Sequence, residues 1–288
     1  MLKSGFITII GKTNVGKSTL LNSLLEQKIS IVSDKFNTTK QKIIGIYNNV
    51  DCQLVFYDNP GFIYKEKNIL FSKINSLIFK NINEVDIILF LVDNECSPRD
   101  KKLLTFLKKY NKKIILVITK IDLFKKKILI DKIILSYLEY FKFEAIIPLS
   151  SLKKQNLEIL KDNIINLLNK SKLYFPRNMK SNVSDKEFIL ELLREKLFFY
   201  LEKEIPHVCQ LFLEKMDLDE YNSLATISIL IVVPKINQKK ILIGKNGNKL
   251  KKIKIKTQKD INKFLKKKTC LKLWVKFDEN ISNKKNLY

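Results

Sequence analysis

The fold of the first half of this chain is decided by Gly11-Lys12-Thr13-Asn14-Val15-Gly16-Lys17-Ser18-Thr19. This stretch follows an apolar run at residues 6–10 and leads into an apolar helical pattern that ends near residue 25. A strand, a glycine-containing loop and a Lys-Ser pair at the start of a helix form a phosphate-binding P-loop. Its backbone N–H groups and the helix N-terminus attract phosphate oxygens. We therefore expect Lys17 to reach the β- and γ-phosphates of a nucleotide and the Ser18 hydroxyl to ligate Mg²⁺.

Strand patterns alternate with helical patterns through the first 170 residues. Strands are predicted at residues 6–10, 42–47, 53–57, 87–92, 114–119 and 145–149, and helices at 18–25, 71–83, 99–109, 128–141 and 157–168. This alternation predicts an α/β domain with a doubly wound, mostly parallel sheet. Ligands of such sheets bind at the carboxyl ends of the strands, which is where the polar motifs of this sequence fall.

Two of these motifs are placed to sense a γ-phosphate and Mg²⁺. In Asp58-Asn59-Pro60-Gly61, the Asp58 carboxylate would hold Mg²⁺ through water and the Gly61 N–H would contact the γ-phosphate. The loop Asn37-Thr38-Thr39-Lys40 offers the Thr39 hydroxyl, which can complete the Mg²⁺ shell only when the γ-phosphate is present. Ser18, Thr39 and Asp58 are therefore the expected metal ligands.

Two further motifs are placed to bind a base. In Thr119-Lys120-Ile121-Asp122, the Asp122 carboxylate is the acceptor that guanine N1–H and the exocyclic amine require, and adenine offers neither donor. After the last strand, a backbone N–H of Ser150-Ser151 can donate to guanine O6. Each motif alone is a weak signal, but all five in order, each at a strand end, predict a GTP- and GDP-binding site.

The first 170 residues resemble the Era-like branch of the translation-factor class of GTPases. The resemblance rests on the P-loop and the Thr-Leu-Leu-Asn that follows it, on residues 27–33 and on the Thr38-Thr39 pair. The family's base motif begins with Asn where this chain has Thr119. Because a Thr hydroxyl reaches less far, we expect a weaker contact to the base and a weaker tie to the P-loop. Asn59 replaces the usual Thr, and its expected effect is modest.

Hydrolysis is expected to be slow and to differ from that of Ras-type enzymes. Those enzymes orient the attacking water with a Gln at the position of Phe62, which can neither donate nor accept a hydrogen bond. In the Era-like branch, an Asn at the position of Asn14 accompanies the use of a potassium ion near the β- and γ-phosphates. The alternative is that Asn14 only supports the loop conformation. The candidate catalytic residues are Lys17, Thr39, Asp58, Gly61 and Asn14.

A second unit follows a polar connector, so the predicted domains are residues 1–170 and 185–288, joined by 171–184. Its predicted elements are a helix at 185–204, strands at 208–216 and 223–233, two short helices around a glycine loop at 238–265, and a strand at 270–277. The order α-β-β-α-α-β is that of an α+β, type II KH fold. In KH domains a Gly-x-x-Gly loop between two helices clamps the RNA backbone, and Gly244-Lys245-Asn246-Gly247 has that pattern. The candidate RNA-binding residues are Gly244, Lys245, Asn246, Gly247, Lys249, Lys251 and Lys252.

The charge distribution supports an RNA partner. The 288 residues carry a net charge of +25, which favours nucleic acid over membrane lipid as a partner. Only three of the 54 basic residues are arginine, so part of this charge reflects a lysine-rich composition. Residues 235–276, however, hold sixteen lysines and one acid, Asp260. Composition alone would not concentrate lysines around the glycine loop in this way.

The whole chain resembles the Era family once the second unit is included. Ile205-Pro206-His207, residues 238–244 and residues 271–276 carry the likeness. It implies a monomeric, GTP-controlled protein that binds 16S ribosomal RNA near its 3′ end in assembly of the small ribosomal subunit. Two alternatives stay open. One is an RNA chaperone with a decayed nucleotide site, and the other is a basic GTPase at the membrane surface.

The remaining features of the sequence point to an intracellular protein. No apolar run is long enough to span a bilayer, and the first strand leaves no room for a signal peptide, so we expect a cytoplasmic location, with peripheral contact to the inner membrane face as the alternative. The four cysteines are widely spaced and form no Cys-x-x-Cys pair, so we expect reduced thiols and no zinc site or disulfide. His207 is expected to have a structural role. Trp274 is expected to pack under a helix or the neighbouring domain; contact with RNA is its alternative.

Overall fold

The computed structural model describes residues 2–29, 43–58, 82–202, 204–217 and 224–279. The chain divides into two compact units, Met1–Asn182 and Val183–Tyr288. In the described part of the chain, no helix combines the length and the apolar character needed to cross a bilayer.

The first unit alternates strands and helices as the sequence predicted. Its elements in chain order are β1 (Lys3–Gly11), α1 (Lys17–Leu24), β2 (Ile43–Asn48), β3 (Cys52–Asp58), β4 (Ile87–Val92), α2 (Pro98–Lys108), β5 (Lys113–Ile118), α3 (Ile128–Leu138), β6 (Ala145–Pro148) and α4 (Leu157–Leu167). The predicted helix at 71–83 lies outside the described residues except at its end, where Ile82–Glu84 form a 3-10 turn.

The sheet of the first unit is mostly parallel, with the strand order β2-β3-β1-β4-β5-β6. Strand β2 runs antiparallel to β3, and the other neighbouring pairs of these six strands are parallel. Strand β4 is buried at all six residues, and β5 at all but its first. Continuous apolar strands of this kind are covered by helices on both faces. The carboxyl ends of β1, β4 and β5 therefore meet at one edge of the sheet, where the P-loop and the base motif begin.

Residues 171–182 lie against the first unit, although the sequence predicted a connector without regular structure. Ser181 forms a β-bridge with Gly45 of β2, and the Ile46 N–H donates to the Lys180 carbonyl at 2.9 Å. The Gln53 side chain, fully buried in β3, accepts from the N–H groups of Tyr174 and Phe175 at 2.8 and 3.0 Å. These bonds satisfy backbone groups of the connector, and its polar sequence did not predict that they would be paired.

The second unit has the predicted order, with one short helix added. Its elements are α5 (Asp185–Tyr200), α6 (Ile205–Val208), β7 (Gln210–Asp217), β8 (Leu224–Val233), α7 (Ile236–Ile243), α8 (Asn248–Leu265) and β9 (Lys268–Phe277). The sheet order is β7-β8-β9, with β7 antiparallel and β9 parallel to β8. Side chains from α5, α7 and α8 form one apolar core with one face of this sheet.

Several boundaries in the second unit differ from the prediction. Strand β7 begins at Gln210 rather than residue 208, and α7 begins at Ile236 rather than residue 238. The first helix was predicted to reach residue 204 but ends at Tyr200, where Leu201 turns to an extended backbone and buries its side chain in the core. Pro206 then lies in the first turn of the separate helix α6, where proline is tolerated because its missing N–H needs no partner. Strand β9 begins at Lys268 rather than residue 270, because it pairs with β8 from Leu224 onward.

Candidate functional site

The P-loop joins the end of β1 to the start of α1. Asn14 and Gly16 have φ values of 63° and 102°, and α1 begins directly after Gly16. Residues that carry a side chain rarely adopt a positive φ, so glycine at position 16 makes this turn without a steric penalty. The result is a concave backbone turn at a helix N-terminus, which is a favourable place for phosphate.

Lys17 holds its ammonium group inside this loop. The side chain is buried, and Nζ donates to the carbonyl oxygens of Gly11 at 3.1 Å and Lys12 at 2.7 Å. A buried cation at the N-terminus of α1 fits the phosphates of a nucleotide and an accompanying Mg²⁺. Mg²⁺ commonly takes one or two protein oxygens and completes its shell with phosphate and water. Among the described residues no group of three or more His, Cys, Asp or Glu could hold a metal by itself.

Thr119 ties the base motif to the P-loop. Its side chain is 2% exposed at the end of β5, and Oγ1 donates to the Val15 carbonyl oxygen at 2.7 Å. The same oxygen lies 3.1 Å from the Val92 carbonyl oxygen. The sequence predicted a weaker tie at this position, but the Val15 carbonyl lies within reach of the shorter hydroxyl. The tie between the two loops is therefore retained in this chain.

The rest of the base motif is an exposed turn. Ile121, Asp122 and Leu123 form a 3-10 helix, and the Ile121 N–H donates to the Leu149 carbonyl at 3.3 Å. Lys120 precedes it with φ 59°. The Asp122 side chain is exposed. A carboxylate on an open turn at the strand ends can accept hydrogen bonds from a base that enters from solvent.

Asp93 is a site residue that the sequence analysis missed. It follows β4 directly and forms ion pairs with Lys12 of the P-loop at 2.8 Å and with Lys120 of the base motif at 3.0 Å. Burial raises the pKa of Asp93, but the hydrogen bonds and charges of the two lysines outweigh it and hold the pKa below its ordinary value. Its position directly after a buried strand, like that of the other polar motifs, was the signal that could have identified it.

Ser150 and Ser151 lie where the last strand of the sheet ends. Ser150 is buried, and its Oγ accepts from the Lys153 N–H at 3.1 Å. The Ser151 carbonyl accepts from Ser23 Oγ of α1 at 3.1 Å. This loop is therefore held to the same helix that begins at the P-loop, so the phosphate and base motifs share one support.

The γ-phosphate motifs are not all described. Thr39, Asn59, Pro60, Gly61 and Phe62 lie outside the described residues. The backbone of Asp58 ends β3, paired with Ile9 of β1 and Ile43 of β2. Their roles at the γ-phosphate and Mg²⁺ therefore stay predictions.

The second unit presents a glycine loop between α7 and α8. Gly244, Asn246 and Gly247 have φ values of 75°, 52° and 74°, and the Gly247 N–H donates to the Gly244 carbonyl at 3.1 Å. A Cβ on Gly244 would lie 2.7 Å from Lys249 Cβ, whereas a Cβ on Gly247 would meet nothing within 4 Å. The loop is tight on its inner side and open on its outer side, so another backbone can approach it closely.

A basic groove lies along the second half of α8. An open groove of about 430 Å³ is lined by Ile255, Gln258, Lys259, Asn262 and Lys263. Asn262 Oδ1 accepts from the Thr269 N–H at 2.9 Å, so the groove runs beside edge strand β9. Lys245, Lys251 and Lys252 near the loop are exposed, and Lys249 is half-buried.

The single acid of the basic segment is directed at another helix. Asp260 pairs with Lys196 of α5 at 2.6 Å. Its negative charge is therefore offset within the unit and does little to reduce the positive surface of α8.

Trp274 corrects an expectation. The sequence predicted that it packs under a helix or the neighbouring domain, but the helices of the second unit pack on the other face of the sheet, and its side chain is 57% exposed. Alternation along β9 explains this, because Leu271, Leu273 and Val275 point to the apolar core while Lys272, Trp274 and Lys276 point away from it.

The remaining singled-out side chains have packing roles. The His207 ring packs edge-on against Phe198 with 4.9 Å between the ring centroids. All four cysteines are free thiols. Burial raises the pKa of Cys209 to about 12 and that of Cys96 to about 11, so both are protonated at neutral pH.

Two family models match this chain. The model described as "50S ribosome-binding GTPase" matches residues 6–120, and the model described as "KH domain" matches residues 204–281. The first match lies within the P-loop unit, and the second lies within the unit that holds the glycine loop.

Relatives match over nearly the full length. GTPase Era of Clostridioides difficile is 39% identical, with 99% of this chain and 97% of that protein covered, and GTPase Era of Clostridium kluyveri is 41% identical, with 96% and 94% covered. A crystal structure of Era with MgGDPNP and nucleotides 1506–1542 of 16S ribosomal RNA is 32% identical, with a TM-score of 0.85 over 99% of this chain and 97% of that one. A crystal structure of an Aquifex aeolicus Era variant bound to GDP and AlF₄⁻ matches equally well.

Proposed function

This chain belongs to the GTPase Era family, and on that premise we propose that it is a GTP-hydrolysing switch that binds 16S ribosomal RNA through its KH domain. In this role it acts in assembly of the small ribosomal subunit. The observation that carries the proposal is the union of two sites in one chain. A P-loop is bonded to a guanine-type motif in the first unit, and in the second a glycine loop precedes the helix α8, along which a basic groove lies.

The proposed nucleotide binding is supported by the preorganisation of the two loops that would contact GTP. The Thr119–Val15 hydrogen bond and the Lys12–Asp93–Lys120 ion pairs hold the phosphate loop and the base loop in one arrangement. Preorganised donors lose less entropy when a ligand binds. Within this arrangement, residues 11–19 bind the phosphates, and Asp122 selects guanine. A backbone N–H of Ser150 or Ser151 donates to guanine O6.

The switch half depends on residues 39 and 58–62. Ser18, Thr39 and Asp58 are the residues that would hold Mg²⁺, and the ion would supply neutralisation of charge on the phosphate oxygens. Lys17 moves its hydrogen bonds from the loop carbonyls to the phosphates. The Gly61 N–H contacts the γ-phosphate, and loss of that phosphate releases the Thr39 loop.

A potassium ion is our proposed substitute for the missing glutamine. Phe62 cannot orient water, whereas Asn14 is exposed on the P-loop with a positive φ of 63°. An amide oxygen there can ligate a monovalent cation beside the β- and γ-phosphates. GTP turnover in potassium should exceed turnover in sodium at equal ionic strength, and Asn14→Ala should remove the difference. Equal rates in both salts would contradict the potassium role and leave Asn14 as a loop-supporting residue.

The RNA half rests on the groove beside α8. An extended, unpaired RNA strand fits a groove between a helix and an edge strand, and its phosphates approach the glycine loop and its lysines. We assign the backbone contacts to Gly244, Lys245, Asn246, Gly247, Lys249, Lys251 and Lys252.

Crosslinking to ribosomal RNA tests the function. The full chain is crosslinked to 16S RNA with GDP and with a non-hydrolysable GTP analogue, while GTP turnover is measured in parallel. We expect crosslinks at residues 244–256 whose yield depends on the nucleotide. A crosslinking yield that is the same with either nucleotide, together with no measurable GTP turnover, would favour a non-hydrolysing RNA chaperone. Their absence from residues 244–256 in both states would remove the RNA-binding role.

The finer partner and location assignments are also proposals. We propose a cytoplasmic monomer, which light scattering coupled to size exclusion tests directly. Peripheral contact with the inner membrane face is the alternative. It is less favoured because Ile253 and Ile261 of the lysine-rich helix α8 are buried in the core of the second unit and do not face a bilayer. Cosedimentation with anionic vesicles at physiological salt distinguishes the two locations.

A further inference from the structure

The sheet of the second unit has two chemically different faces. One face joins the core through residues such as Ile227, Ile229 and Leu271, all fully buried. The helices that flank the glycine loop, α7 and α8, pack on that side. The opposite face is formed by the alternate residues of the same strands, and Trp274 lies on it.

Trp274 lies between two lysines on this outer face. Lys272 and Lys276 are exposed and are each two residues from it, so their Cα atoms lie about 6.6 Å away along the strand. Across the sheet, Trp274 is opposite Leu230 of β8, which is opposite Phe212 of β7. An exposed indole ring thus continues an apolar row across the sheet and has an ammonium group on either side.

The two strands around Trp274 carry no negative charge. Strand β8 has no charged residue, and the charged residues of β9 are Lys268, Lys272 and Lys276. The nearest acids along the chain, Asp278 and Glu279, lie beyond the end of β9. The acids within this sheet lie on β7, at Glu214 and at Asp217, which pairs with Lys215 at 3.4 Å. The part of the face formed by β8 and β9 is therefore complementary to a polyanion.

We propose that this outer face is a second RNA-binding surface, on which an unpaired base stacks against Trp274 while Lys272 and Lys276 contact its flanking phosphates. Stacking on aromatic side chains combined with lysine contacts to the backbone is the chemistry of single-strand binding. The surface is distinct from the groove along α8, since the two lie on opposite sides of edge strand β9. One RNA strand that leaves the groove can pass this edge and reach Trp274. The inference rests on the proposed RNA-binding function and extends it to a second contact.

Trp274 is the only tryptophan in the chain, so tryptophan emission reports on this face alone. The test uses the full chain with Gly247→Asp, which places a negative charge in the glycine loop. A Cβ at residue 247 would meet no neighbour within 4 Å, and Asp is among the residues that adopt a positive φ most readily, although the backbone there strains any side chain. Circular dichroism and the denaturant midpoint of the variant establish that it is folded before binding is measured. A single-stranded 12-nucleotide oligoadenylate is titrated while a labelled copy reports total binding by anisotropy. We expect the RNA to quench the emission of this variant.

Substitutions at the surface give the second readout. In the Gly247→Asp background, Trp274→Ala should weaken RNA binding about 5- to 100-fold, and Trp274→Phe should retain most of it. Lys272→Gln with Lys276→Gln should reduce the slope of log affinity against log salt by about 1.4, since each phosphate contact on a single strand contributes about 0.7. The matched control, Lys108→Gln with Lys109→Gln at the end of α2, removes the same charge from exposed positions and should leave the slope unchanged.

Three results would overturn the inference. The first is unchanged emission at RNA concentrations where anisotropy shows binding, which would leave the function of the groove intact. The second is loss of all binding in Gly247→Asp, which would assign RNA to the groove alone. The third is emission that changes on dilution without RNA, which would make this face an interface between copies of the chain. If the unsubstituted chain binds no RNA, both this inference and the proposed function fail.

Discussion

The hydroxyl of Thr119 lies 2.7 Å from the carbonyl oxygen of Val15 and bonds the end of β5 to the P-loop. The two residues are 104 positions apart in the chain, and the bond is buried. It joins the loop that we propose binds phosphate to the loop that we propose selects the base. A longer Asn side chain is therefore not required to hold these two loops together.

Removing this hydroxyl should weaken nucleotide binding. Thr119→Val keeps the shape of the side chain but leaves the Val15 carbonyl without this donor, a loss worth about 1–3 kcal/mol for a buried group. We expect GDP and GTP dissociation constants to rise about 5- to 100-fold, measured with a fluorescent guanine nucleotide. Thr119→Ser keeps the hydroxyl and serves as the control. An unchanged affinity in Thr119→Val would show that the bond does not position the P-loop for nucleotide.

Asp122→Asn should change the base preference. A carboxylate accepts from the two guanine donors, whereas an amide offers a donor that suits the second carbonyl group of xanthine. Because hydrogen bonds to a charged group are worth about 1.5–3 kcal/mol each, affinity for GTP should fall about 100-fold or more while affinity for XTP rises. Competition between the two nucleotides measures the switch. Because the Asp122 side chain is exposed, the substitution should not change the stability of the fold. Equal losses for both nucleotides would argue against contact with the base edge.

Asp93→Asn should lower stability at neutral pH but not in acid. The lysines hold the pKa of Asp93 below the ordinary value of about 3.9, so the ion pairs stabilise the folded state above that pH and lose their effect as pH falls through the depressed pKa. Two partly exposed pairs together contribute about 1 kcal/mol. Denaturant unfolding from pH 6 to pH 3 should show the variant deficit shrinking with acid.

The control for this experiment is Asp162→Asn, an exposed carboxylate on α4. It removes the same charge from the same unit, so it should show no comparable deficit at pH 6. A deficit in Asp93→Asn that stays constant down to pH 3 would mean that the ion pairs are not its cause.

Gln53→Leu should release residues 171–182 from the first unit. Besides accepting from Tyr174 and Phe175, Gln53 Nε2 donates to Asn48 Oδ1 at 2.7 Å and to the Phe175 carbonyl at 2.8 Å. Leu fills a similar volume but leaves several buried groups unbonded, at roughly 1–3 kcal/mol for each. We expect faster tryptic cleavage after Lys172, Arg177 and Lys180, identified by fragment mass.

Gln155→Leu, at an exposed glutamine of the same unit, is the matched control for this cleavage assay. Cleavage at the same rate in the unsubstituted chain and in both variants would show that Gln53 does not hold the connector.

Local patterns identified the elements of both units because those patterns are set by short-range chemistry. The P-loop is recognisable from a strand, two glycines and a Lys-Ser pair, and the glycine loop of the second unit lies between two helical patterns. The apolar strands β4 and β5 are recognisable because every face of them is buried. The end of the helix at Tyr200 was missed, since polar and apolar residues continue at helical spacing past the point where Leu201 turns into the core.

The two folds, the P-loop, the exposed carboxylate of Asp122 and the lysine-rich segment could all be predicted from the sequence, because each is a property of neighbouring residues. Contacts between residues that are far apart in the chain could be identified only in the folded structure. There Asp93 lies between Lys12 and Lys120, the Val15 carbonyl is within reach of Thr119, and the connector is bonded to Gln53. Trp274 is exposed between two lysines. The physical reason is that ion pairs, buried hydrogen bonds and exposure depend on strand order and on the packing of helices, which no local pattern encodes.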